Sequence, residues 1–380
     1  MDWDALRRTE FPVAERWAYF DHAAVAPLPR RSIAAMHEWA EVMGRDGVTS
    51  WLGWKARLEA ARVKAARLIG ADPDEVAFIN STTQGIGYIA EGFPWQNGDN
   101  VVSVADEYPS NVYPWMNLAS RGVALKRAAC PEGRVDLDRI DEAIDGSTRL
   151  VTISMVEFAS GFRVNLDALA GLCLFRGVAL FVDAIQGLGA LPLDVGRTQV
   201  DFVAADGHKW LLGPEGAGLL FIRKPWIERL RCVVGLGSHS VVNAHNYHEI
   251  DMTLKPDARR WEGGCYNMAG VQGLSASLGL FLEIGLDVVS ARVLELADEV
   301  RAIAEAEGWR VYGSTRSRDR SGIVSIERPG VDPEATVMHA RSQGVVISCR
   351  AGRVRISPHI VNDRSDLDRL ARVLREAPAG

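Results

Sequence analysis

The sequence predicts an α/β fold: a mostly parallel sheet in a large domain, with a smaller α/β domain toward the C-terminus. Three observations point there. Short apolar runs alternate with amphipathic stretches, the runs are apolar at almost every position, and from about residue 270 long helical patterns give way to short strands. Alternating strands and helices build parallel βαβ units. A strand lacking the polar/apolar alternation is covered on both faces.

The strands expected on this basis are GDNVVSVA (98–105), STRLVTISMV (147–156), GVALFVDA (177–184), VDFVAA (200–205) and GAGLLFI (216–222). Between them, DLDRIDEAI (136–144) and NLDALAGLCLF (165–175) carry the spacing of surface helices. SASLGLFLEIG and LDVVSARVLELADEVRAIAEAEG then read as long helices, with Gly308 as the stop. GIVSIER, GVVISCR and VRISPHI follow as short strands, and SDLDRLARVLREA as a last helix. We expect a large domain over 15–265 and a small one over 266–380 joined by 1–14. No repeat of solenoid length is present.

The 380 residues are 47% apolar and 24% charged, with a net charge of −6. That is globular composition. Basic residues are scattered, which excludes the electrostatic footprint of a nucleic-acid binder. Apolar stretches break well before the ~20 residues of a membrane span. MDWDALRRTEF lacks a secretory h-region. Five cysteines, odd in number and without a CxxC pair, suit reduced thiols and exclude the familiar zinc frameworks. A cytoplasmic protein is expected. His22, His239, His245, His248 and His359 show no metal spacing on a shared helix, so no metal is expected.

Three segments carry chemistry. In DGHKWLLGPEGAG (206–218), Lys209 follows a buried-strand pattern. Lysines are seldom buried, and desolvation lowers their pKa and makes them nucleophiles toward an aldehyde; an exposed lysine at a strand end is the other reading. Asp183 ends the run LFVD at the carboxyl edge of the sheet, where open α/β sheets bind ligands, with Gln186 three residues on. A carboxylate there can pair with a protonated pyridine nitrogen, although many such aspartates are turn or cap residues. In FINSTTQGIGYIAEG (78–92), hydroxyls at a helix start offer a phosphate site or an ordinary cap. Neither GxGxxG nor GK[ST] is present in that segment, which argues against a nucleotide-linked dehydrogenase.

These segments together resemble the class V aminotransferase family, the fold-type I pyridoxal-phosphate enzymes that include cysteine desulfurases, selenocysteine lyases, kynureninase and isopenicillin N epimerase-like proteins. The likeness runs from AYFDHAAVAPLP (18–29) to VRISPHIVN (354–362). It implies a seven-stranded sheet and pyridoxal 5′-phosphate held as a Schiff base on Lys209, which then moves the proton at Cα. His208 precedes the lysine as in the family. Asp183 is implied as partner of the pyridine nitrogen, Gln186 of the ring hydroxyl, and Thr82 and Thr83 of the phosphate. Tyr108, in DEYPSNVYPW (106–115), stands where many relatives stack a histidine on the ring. Arg355 is implied to grip the substrate carboxylate, and Ala23 and Ala24 to line the pocket. A homodimer is implied as well.

Four departures stand out. Asp206 replaces a serine that touches the phosphate. Phe158 stands where desulfurases have an asparagine. Cys265-Tyr266 replaces Thr-Pro or Ser-Pro in a loop that relatives lend to the neighbouring subunit's phosphate. The stretch 344–359 is shorter than the desulfurase loop that bears the sulfur-accepting cysteine. Cys349 lies nearby but follows an apolar strand pattern, which favours a structural thiol. The expected activity is that of a cysteine desulfurase or carbon–sulfur lyase on a small amino acid. A transaminase or epimerase of a specialised metabolite, and a catalytically silent relative, are the alternatives.

Overall fold

The computed structural model describes residues 1–313 and 316–378. Helix α1 (Trp3–Glu10) leads to the short strand β1 (Ala18–Tyr19), helices α2 (Arg30–Asp46) and α3 (Trp51–Ile69), strand β2 (Val76–Ile79) and helix α4 (Thr82–Gly92). Then come β3 (Asn100–Val104), α5 (Tyr113–Asn117), β4 (Ala124–Ala128), α6 (Leu137–Ala143), β5 (Thr148–Ser154), α7 (Leu166–Arg176) and β6 (Ala179–Asp183). Strands β7 (Phe202–Asp206) and β8 (Gly218–Ile222) and helix α8 (Lys224–Arg229) close this part. The remainder holds α9 (Met268–Ile284), α10 (Leu286–Ala306), β9 (Arg310–Val311), β10 (Val324–Glu327), α11 (Pro333–Ser342), β11 (Val345–Val346), β12 (Ser348–Arg350), β13 (Arg353–Ile356) and α12 (Arg364–Arg375).

Seven strands form the central sheet in the order β2-β8-β7-β6-β5-β3-β4. Among the described residues β8 alone runs against its neighbours, β2 and β7; the other pairings are parallel. The carboxyl ends of β3, β5, β6 and β7 therefore share one edge. All five apolar runs expected from the sequence are strands of this sheet. Edge strand β4, ALKRA, has four partly exposed or exposed positions, two of them charged, before a buried alanine, so it gives no continuous apolar run.

Caps set the helix starts. The side chains of Ser81, Asn165, Asn267 and Asp363 each accept a backbone N–H two or three residues inside α4, α7, α9 and α12. Gly308, at φ +78°, follows the end of α10 as expected.

One apolar core lies against one face of the sheet and a second against the other; a third fills the C-terminal part. The cores do not divide at 265/266. Leu274, Leu278 and Phe281 of α9 belong to the first core, and the change comes within α10, between Val293 and Leu296. The N-terminal residues also differ from expectation: Phe11 packs in the first core, while Ala18 and Phe20 join the third. The third core is backed by the antiparallel sheet β12-β13-β10-β9 and by β1, which pairs with β11. Among the described residues no single helix is long and apolar enough to cross a membrane; α9 and α10 bend by 88° at Gly285, and α9 is largely buried.

Candidate active site

Every chemistry-bearing segment leaves the same edge of the sheet. Asp183 is the last residue of β6, paired in register with Ser154 of β5 and Ala204 of β7. Lys209 follows β7 in a turn closed on itself, in which Gly207 N–H donates to Ala217 O at 2.9 Å and Gly213 N–H to Gly207 O at 2.8 Å. Thr82 opens α4 directly after β2.

Lys209 is mostly buried. Burial pulls its pKa down to about 8, and the charge of Asp183 opposes that drop. Among the described residues no carboxylate oxygen lies within 4 Å of its Nζ, so it has no ion-pair partner there, and the Tyr108 ring centroid lies 5.6 Å away. Asp183 is 2% exposed and pushed up to about 6 by burial, while its Oδ1 accepts from Ile185 N–H at 3.0 Å. A buried amine whose pKa is drawn down toward neutrality, beside a buried carboxylate, is what a nucleophilic lysine requires.

The start of α4 forms the other end of the site. Thr82 is buried, its Oγ1 accepting from Asp206 N–H at 2.9 Å, while Thr83 is exposed. Asp206 does not face this end unpaired. Its Oδ1 accepts from Gly207 N–H at 2.7 Å, and its Oδ2 lies 2.9 Å from His208 Nδ1. The His208 contact is electrostatic in character: the distance is short, but the angles do not meet those of a hydrogen bond, and Nδ1 is otherwise buried without a partner.

Gln186 is fixed from both sides. Its Nε2 donates to Ala23 O at 3.0 Å and its Oε1 accepts from Trp210 Nε1 at 2.9 Å, which leaves one N–H for a ligand hydroxyl. The segment bearing Ala23 and Ala24 is clamped over the lysine turn by Ala26 N–H, which donates to His208 O at 2.7 Å.

Arg355, on β13, is 1% exposed and pulled down to about 10 by burial, so it stays cationic. It donates to Asp21 Oδ1 (3.2 Å), Ser348 Oγ (3.3 Å) and Phe158 O (3.1 Å). Two of its five N–H groups remain for a carboxylate. Phe158 supplies that carbonyl to Arg355 rather than a side-chain hydrogen bond, and its ring meets the half-exposed Tyr108 edge to face at 5.1 Å.

Cys265 is not brought to Lys209 within one chain. It is exposed, at the rim of a roughly 240 Å³ cavity lined by Asn80, Gln84, Tyr88 and Glu262 among others. Cys349 lies on β12 with its thiol pushed up by burial.

Sequence reasoning missed four ionisable groups of this site. Asp21 stands inside the motif FDHAA. Glu107 and Glu157 each precede an aromatic that was singled out, and the guanidinium of Arg350 acts on both Lys209 and Arg355.

Comparison with known proteins gives a consistent picture. The family model described as Aminotransferase class-V matches residues 18–373. A probable cysteine desulfurase of Methanothermobacter thermautotrophicus is 29% identical, covering 97% of this chain and 96% of its own. A cysteine desulfurase of Klebsiella pneumoniae is 31% identical over 84% of this chain and 81% of its own. In solved structures the fold recurs in the apo cysteine desulfurase of Thermococcus onnurineus (TM-score 0.88, 24% identity, covering 98% of this chain and 97% of that one). It recurs also in the cystine C–S lyase C-DES complexed with cysteine persulfide (TM-score 0.91, 20% identity, 97% and 99%).

Proposed function

The chain belongs to the class-V aminotransferase family, and on that premise we propose that this pyridoxal-phosphate enzyme breaks the carbon–sulfur bond of a small cysteine-like amino acid, with Lys209 as its catalytic base. The observation that carries the reading is the buried amine of Lys209, its pKa drawn down to about 8, without an ion-pair partner among the described residues and under the field of Asp183.

The residues fit the cofactor. The N–H end and hydroxyls of α4, at Thr82 and Thr83, would take its phosphate. Asp183 would face the ring nitrogen, Tyr108 the ring plane, and the remaining Gln186 N–H the ring hydroxyl. When bound, pyridoxal phosphate supplies an aldehyde that condenses with amines and a ring that withdraws electrons from Cα. Lys209, freed as an amine, takes the Cα proton and returns it. Arg355 holds the substrate carboxylate with its two open N–H groups. His208, against Asp206, fixes the turn that delivers the lysine, and Ala23 and Ala24 wall the pocket.

A lyase without sulfur relay is favoured over a relay desulfurase. Strands β12 and β13 are joined by Ala351 and Gly352 alone, at φ +48° and +71°, a tight two-residue hairpin. Cys349 sits in that hairpin and not on a loop that could carry sulfur outward. The relatives named desulfurases support the substrate class.

The exposed Cys265 loop packs at Gly263 on Gly235 and Gly237, in a stretch whose Val233, Val234 and Leu236 are 45%, 44% and 40% exposed. We read that face as the contact with a second subunit, with Cys265 lent to the partner's phosphate site.

The test is a visible absorbance spectrum of the purified protein, repeated with L-amino acids including cysteine and cystine. A yellow band abolished in Lys209→Ala, with sulfide or persulfide plus pyruvate or alanine as products, supports the reading. A keto acid retaining sulfur would assign a transaminase instead. Spectral and catalytic properties unchanged by Lys209→Ala would overturn the lysine's role.

A further inference from the structure

Two loops at the mouth of the site carry the same dipeptide pattern, an acid followed by an aromatic. Glu107-Tyr108 follows β3, and Glu157-Phe158 follows β5. The aromatics point to the mouth and meet edge to face at 5.1 Å. The acids point inward and are 5% and 2% exposed.

The two acids are treated differently by their surroundings. Glu107 has three donors: Oε1 accepts from Tyr108 N–H at 3.0 Å and from the Ser154 hydroxyl, and Oε2 accepts from Ser154 N–H at 2.8 Å. Glu157 has no donor at either carboxyl oxygen among the described residues. Its charged neighbours are Glu107 and Asp106 from the loop after β3 and Asp183 from β6, all acids. Cys130, from the loop after β4, also faces it. Arg163, across its own loop, lines a separate cavity. A buried carboxyl with no donor and acidic neighbours is stable only as the neutral acid.

We infer that Glu107 and Glu157 are a positioning pair for the reaction: Glu107 anchors Tyr108 through the three hydrogen bonds it accepts, and a neutral Glu157 keeps Phe158 seated against Tyr108 at the mouth over Lys209. A second charge on Glu157 would sit against Glu107 and Asp183 and drive the 156–163 loop outward, taking with it the Phe158 carbonyl that holds Arg355. The inference rests on the proposed role of Lys209 only for the meaning of the mouth, not for the state of Glu157.

The sign of the linkage is fixed. Both acids hold their protons more tightly folded than unfolded. Their contribution is full below the ordinary value of 4.5 and is lost as pH rises, through about 7 for Glu107 and in the same direction for Glu157.

Glu157→Gln keeps the shape and removes the titration. In cofactor-free protein, the fall in melting temperature between pH 5 and pH 8 should be smaller in E157Q than in the unsubstituted protein by about 2–4 °C. In protein loaded with pyridoxal phosphate, the visible circular dichroism should change on raising pH, and E157Q should flatten that change. E157Q melting curves that track the unsubstituted protein across the range would overturn the inference, as would an unaltered dichroic transition. Should E157Q fail to fold, Glu107→Gln serves: with the repelling Glu107 charge gone, Glu157 ionises more readily and the transition should move to lower pH, and a transition left in place overturns the pair. The cofactor-free arm stands whether or not Lys209 binds the aldehyde, so the two readings fail separately.

Discussion

The guanidinium of Arg355 lies 3.2 Å from the carboxylate of Asp21, inside the wall between the N-terminal segment and β13. Burial raises the pKa of Asp21, and the neighbouring Arg355 charge opposes that rise. The arginine is thereby fixed in place before any substrate arrives. Arg355→Lys keeps the charge but loses the planar fork. We expect kcat/KM for the amino-acid substrate to fall by about 10–100-fold, the equivalent of one or two charge-assisted hydrogen bonds, with the cofactor's absorbance intact. Steady-state kinetics on the loaded variant check this.

Cofactor capture should report the pKa of Lys209. Its amine is neutral above about 8, and only the neutral amine attacks an aldehyde. The rate at which cofactor-free protein gains the visible band should therefore rise with pH and level off above about 8, where an ordinary lysine would still be climbing. Stopped-flow absorbance across pH 6 to 10 measures it; a rate still rising steeply at pH 10 would place Lys209 in an ordinary environment.

Gly85 lies on the face of α4 that meets the sheet. A Cβ there would stand 2.9 Å from the Ala204 Cβ and 3.0 Å from the Ile79 Cδ1. Ala204 has no rotamer with which to give way, so the helix must lift. Alanine's better helix propensity, worth up to ~1 kcal/mol, is outweighed by overpacking of about 1–3 kcal/mol. Gly85→Ala should lower stability and, because Thr82 and Thr83 ride on the same helix, weaken cofactor retention. Denaturant melts and a cofactor titration test the two effects.

Cys349→Ser separates the two desulfurase readings. If sulfur leaves directly from the substrate, product formation should stay within about twofold. A loss of turnover beyond tenfold, with the fold intact, would give Cys349 the sulfur-carrying role.

Much of this was legible in the sequence. The buried strands announced themselves because both faces of a parallel sheet are covered, so β3, β5, β6, β7 and β8 read as unbroken apolar runs. Asp183 and Lys209 were legible because each follows such a run at the edge where ligands bind. Edge strand β4 was not, since its charged residues give no apolar run. Asp21, Glu107 and Glu157 were passed over for a different reason. Their meaning depends on donors and acids brought in from distant loops, and no local pattern records that a carboxyl will end up with three donors or none. The division of the cores within α10 was hidden because α9, though next to α10 in sequence, packs on α2 and α3.

The antiparallel strand β8 has a consequence for how the enzyme is made. Among the described residues strand β2 joins the sheet through β8 alone, pairing Phe78 with Leu219, so the edge that carries α4 cannot be placed until the chain has been synthesised well past Lys209. Contacts so distant in sequence close late, because loop entropy must be overcome before they form. The start of α4 and the Lys209 turn are thus brought together in the same late event. On refolding, helical signal should recover first and the yellow colour last, which makes the pigment a clock for completion of the fold.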